Sequence, residues 1–98
     1  MKTFMVCGAE GAKLEAEQLA TFVFYIQNIQ YRFVVTKLPG DVASVTHRGS
    51  GKRVCQIPYM TVISALSDYA AAGKSALQEL IKKHGEARVA SVLRTAEA

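Results

Sequence analysis

Thr21-Phe22-Val23-Phe24-Tyr25-Ile26 is the stretch on which the fold turns. Every residue in it is β-branched or aromatic, and such side chains favour a pleated strand. The apolar residues around it say something else. Leu14, Ala16, Leu19, Ala20, Val23 and Ile26 recur at three- and four-residue steps, which predicts a helix over 13–27. Glu15 and Glu17 would sit favourably in its first turn, against the positive end of the helix dipole. The spacing favours the helix. If the local preference of 21–26 prevails, the helix stops near Ala20.

Working outward, residues 3–6 read as a short strand, followed by the glycine-bearing loop Gly8-Ala9-Glu10-Gly11-Ala12. Downstream, Asn28 is a break, and 29–38 is dense in strand formers. Pro39-Gly40-Asp41 predicts a turn, 42–47 a second strand, Arg48-Gly49-Ser50-Gly51 a hairpin turn and 52–57 the return strand. Pro58 ends that strand because it cannot donate a ladder hydrogen bond. The remainder reads as helix over 61–72, a stop at Gly73, and a new helix from Ser75, whose spacing to Gln78 suits a capping box. Gly85 then separates a last helix over 86–96. The expected fold is therefore α+β and a single domain over 1–98. It has a short N-terminal strand and helix, a three-stranded antiparallel meander, and two or three C-terminal helices packed on one face of the sheet.

The chain has 98 residues, half of them hydrophobic and a fifth charged, a globular composition. The apolar share is high for this size, so a homo-oligomer, most simply a dimer, is expected. No apolar run approaches the roughly 18 residues of a spanning helix, and the N-terminal apolar run stops at Gly8, too short for an export signal. Cys7 and Cys55 are 47 intervening residues apart and read as reduced small hydrophobes, which fits a cytoplasmic protein.

Charge is unevenly placed. Residues 32–53 hold five basic residues against the single acid Asp41, and so carry the whole net charge of +4. Arg32, Lys37, Arg48, Lys52 and Arg53, with the titratable His47, form the candidate anion-binding set. Arginine grips two phosphate oxygens at once, lysine acts as a point charge, and the glycines of the turn let backbone amides approach an anion. Tyr31 and Phe33, on the adjoining strand, are candidates to stack on bases if they face outward.

Motifs for chemistry are scarce. Gly51-Lys52 lacks a P-loop's context: Thr46 stands where its first glycine belongs, and Arg53 follows the lysine. Gly8-Ala9-Glu10-Gly11 lacks dinucleotide-binding spacing. A Cys55–His47 pair across the hairpin would need a third group to orient the imidazole, and His84 reads as a helix-end residue. Two cysteines and two histidines so scattered do not form a zinc pattern. No enzyme, metal or cofactor is expected.

The order helix, three strands, helix resembles the topology of the double-stranded RNA-binding domain, and the three-stranded sheet resembles sheet-reading DNA modules. The likeness is topological: Pro58-Tyr59-Met60-Thr61 carries none of the basic residues that open that RNA domain's second helix. The expectation is a small basic regulatory protein that binds nucleic acid or another phosphate-bearing ligand through its hairpin. The alternative is a protein-binding inhibitor, of the kind found on phages and plasmids, that docks the same hairpin on an acidic surface.

Overall fold

The computed structural model describes residues 2–7, 13–66 and 68–97. The loop expected over 8–12 lies outside them. Five strands, β1 (Thr3–Cys7), β2 (Lys13–Ile26), β3 (Ile29–Lys37), β4 (Ser44–His47) and β5 (Arg53–Gln56), are followed by helices α1 (Tyr59–Ser64), α2 (Tyr69–His84) and α3 (Glu86–Glu97). The strands form one antiparallel sheet in sequence order, β1-β2-β3-β4-β5. The α+β class and the C-terminal helices are as expected. The N-terminal helix and the three-stranded meander are not: residues 13–26 form a strand, and the sheet has five strands.

The register explains why 13–26 imitates a helix. Gln18 pairs with Thr36 and Ala20 with Val35, so Leu19 is an extra residue, a bulge. A strand shows alternate residues to opposite faces, and one extra residue swaps them. Leu14 and Ala16 therefore lie on one face, while Ala20, Phe22, Phe24 and Ile26 lie on the other. Val23, which pairs with Arg32, returns to the face of Leu14, so the three-residue steps of the apolar residues combine one phase break with apolar side chains on both faces. The strand preference of 21–26 prevails because those residues pair along their whole length with β3.

One face of the sheet carries the helices. Phe22, Ile26, Tyr31, Phe33, Val35 and Val45 join Leu77, Val89 and Leu93 in the core. Phe22 and Phe33, directly opposite in the register, stack with ring centroids 5.4 Å apart. Such a pair adds about 1 kcal/mol beyond the area it buries. The helix α2 lies very close here: a Cβ built on Gly73 would stand 2.7 Å from Phe22 and 3.0 Å from Val35. Gly73 is thus a buried packing position inside a continuous α2, not the stop its composition suggests, and Ser75 begins no new helix. The cap is Asp68, whose carboxylate accepts from the Ala71 amide at 3.2 Å. Gly85 does end the helix, as expected, its amide donating to the Ile81 carbonyl.

The other face is concave. Val6, Leu14, Thr36, Ser44, Thr46 and Arg53, contributed by all five strands, line one cavity of about 480 Å³. At its floor the hydroxyls of Thr36 and Thr46 are hydrogen-bonded at 2.9 Å. The curl brings the ends of the sheet together. The Cys7 amide donates to the Gly51 carbonyl at 2.8 Å, and the Cys7 thiol to the Ser50 carbonyl at 3.3 Å. The β4–β5 turn is therefore anchored on β1, at the opposite edge of the strand order.

Candidate anion-binding surface

The basic segment spans β3, β4, the turn after it and the start of β5, and the fold divides its cations. Arg32 is on β3 and Arg48 follows β4. The Arg48 amide donates to the Arg32 carbonyl at 3.0 Å, which fixes the two residues side by side. Both are exposed, and with Gln30 and Gly49 they line one shallow cleft. Among the described residues, none that lines this cleft is acidic. A neighbouring depression along Thr21, Val23 and Gln30 is lined by the same two arginines.

Lys52 and Arg53 leave the turn on its other side. They border a second cleft, of about 280 Å³, between the turn and the α2–α3 pair. Arg53 also approaches Asp41, with 3.8 Å between the charged atoms. Both side chains are well exposed, so this ion pair is worth at most about 1 kcal/mol. Lys37 stands apart. It ends β3 opposite Glu17, at the far end of the strand from Arg32. The structure therefore joins Arg32 with Arg48 and Lys52 with Arg53, and leaves Lys37 out.

Three expected contributors are corrected by burial. Tyr31 and Phe33 are 1% and 0% exposed, so neither presents a ring to a base. Both point to the helix-packed face because Arg32 and Val34 take the other. His47 is 1% exposed and is a structural residue of the turn. Its Nδ1 lies 2.8 Å from the Ser50 hydroxyl, and its ring sits beside those of Tyr31 and Phe33. The sequence shows His47 in a run of cations. Only its register, opposite Phe33, places it inward.

Arg88, on α3, is a contributor that sequence reasoning does not find. It lines the second cleft with Lys52 and Arg53 although it lies 35 positions beyond Arg53 in the sequence. Nothing in the local pattern of an ordinary amphipathic helix marks it out. At Cys55, burial pushes the thiol up to about 11, away from the thiolate that a nucleophile needs at neutral pH. Among the described residues no group of three or more His, Cys, Asp or Glu side chains could hold a metal ion, and no helix is long and apolar enough to cross a membrane. Compared with protein-family models, curated proteins and solved structures, the chain matches none.

Proposed function

We propose that this protein is a non-enzymatic binding protein that engages the phosphate backbone of a nucleic acid. The observation that carries the reading is the pair Arg32 and Arg48, held together by a backbone hydrogen bond in one open cleft whose described lining has no acidic residue. Each guanidinium fork in such a cleft can grip two oxygens of a phosphate. Lys52 extends the positive surface across the turn. With Tyr31 and Phe33 buried, the contact is to the backbone and not to bases, and such binding is salt-dependent and weakly selective for sequence.

Fluorescence anisotropy of duplex DNA, single-stranded DNA and duplex RNA at several salt concentrations tests this. The double variant Arg32→Ala/Arg48→Ala should weaken binding and reduce the log–log salt slope by about two, one for each phosphate that is no longer neutralised. An unchanged slope overturns the assignment of these two residues.

A second reading has an observation of its own. Tyr59, Met60 and Leu66, on and just after α1, are 72%, 69% and 91% exposed, and residues 58–66 carry no charge. An apolar patch of this kind suits a protein contact, with an acidic partner that also meets the basic turn or with a second copy of this chain. Absence of binding to every nucleic-acid probe at low salt would favour this reading.

A further inference from the structure

The cleft between the β4–β5 turn and the α2–α3 pair differs in kind from the Arg32–Arg48 surface. Its walls are mostly apolar, with Val54 from β5, Leu80 from α2, and Val89, Val92 and Leu93 from α3, and Ser50 and the buried His47 line it on the side of the turn. Val89 and Leu93 are buried, while Val92 is 63% exposed at the mouth. Its rim carries Lys52, Arg53, His84 and Arg88, and no acid lines it among the described residues. Its volume, about 280 Å³, is just below the roughly 300–1,000 Å³ of drug-sized ligand sites and so suits a smaller molecule. A phosphate backbone gains nothing from apolar walls, and a purely apolar ligand gains nothing from the cationic rim.

We infer that this cleft binds a small amphiphilic carboxylate, with its hydrocarbon body against Val89, Val92 and Leu93 and its carboxylate at the rim between Lys52 and Arg88. Two features support that orientation. Val89 and Leu93 belong to the core through which α3 packs, so the floor is formed before any ligand arrives. The cations come from two separate elements, Lys52 from the turn and Arg88 from α3, and both are exposed. Arg53 is less suited to the head group, because Asp41 already faces it. Attraction at the exposed rim supplies orientation, and the buried hydrocarbon supplies most of the affinity.

The test is an amide-resolved NMR titration of the whole protein with sodium octanoate, alongside octan-1-ol and octylammonium chloride. Octanoate should shift the amides of Lys52, Arg88, Val89 and Val92 saturably, octan-1-ol should bind several-fold more weakly, and octylammonium should not saturate. Arg88→Gln, an exposed change that leaves the packing alone, should weaken octanoate about threefold, the size of one exposed charge contact. Val92→Glu, which sets a like charge in the mouth, should abolish saturation. Equal affinity for octanoate and octan-1-ol, shifts centred on Tyr59, Met60 and Leu66 instead of the cleft, or no saturable shift would each overturn the proposal.

Discussion

The two faces of the sheet are built from the same strands by different means. On the helix-packed face, aromatic and branched side chains interlock with α2 and α3, and the approach at Gly73 leaves no room for a methyl group. On the concave face, burial comes from curling: small and hydroxyl-bearing side chains such as Thr36, Ser44 and Thr46 line a cavity, and hydrogen bonds from Cys7 hold the curl shut. The first face is held by shape, the second by polar contacts between the ends of the sheet. The exposed cations emerge where the second kind of construction reaches the surface, at Arg32 and around the turn that β1 anchors.

This contrast can be broken at its strongest point with Gly73→Leu. The new side chain would drive into Phe22 and Val35, and overpacking of this kind costs about 3 kcal/mol. Urea denaturation should show a large loss of stability without a change in cooperativity. Gly51→Ala attacks the other face more gently. Gly51 has φ of +75°, and an added Cβ would sit 3.2 Å from the Met5 carbonyl. A cost of about 1–2 kcal/mol is expected. Because the curl loosens, Cys7 should also react faster with a thiol reagent, which Gly73→Leu at equal residual stability should not reproduce. The smallest effect sharpens the view of the helix-packed face. The buried Tyr31 hydroxyl has no hydrogen-bond partner among the described residues, so Tyr31→Phe should leave the melting temperature unchanged or raise it, by up to about 1 kcal/mol of stability. A clear loss would show that this hydroxyl is engaged.

The parts legible in sequence were those set by local chemistry. Pro39-Gly40 and Arg48-Gly49-Ser50-Gly51 do separate strands, and Gly85 does end a helix. What was hidden depends on register and distance. The bulge at Leu19, with apolar side chains on both faces of the strand at Val23 and Ile26, gave the strand an apparent helical spacing, because neither a phase slip nor a second apolar face is visible until the partner strand is known. Gly73 looked like punctuation, yet its meaning lies in Phe22, far away in the sequence. The candidate site follows the same rule. Arg32 and Arg48 were found by charge alone, but their adjacency, the burial of His47, Tyr31 and Phe33, and the part of Arg88 all depend on which face each residue takes.

The link between Cys7 and the β4–β5 turn has a kinetic consequence. Every strand pairing in this sheet joins neighbours in the sequence, so each hairpin closes a short loop at little entropic cost. The contact from Cys7 to Ser50 spans 43 positions and can be made only when both ends of the meander are already in place. Closure is then expected late in sheet assembly, and early exchange of the Cys7 amide in a native-state hydrogen-exchange experiment would check it. A fluctuation that frees β1 would loosen only that outer tie, because the bonds from His47 to Lys52, Gly51 to His47 and Arg48 to Arg32 shape the basic turn without β1.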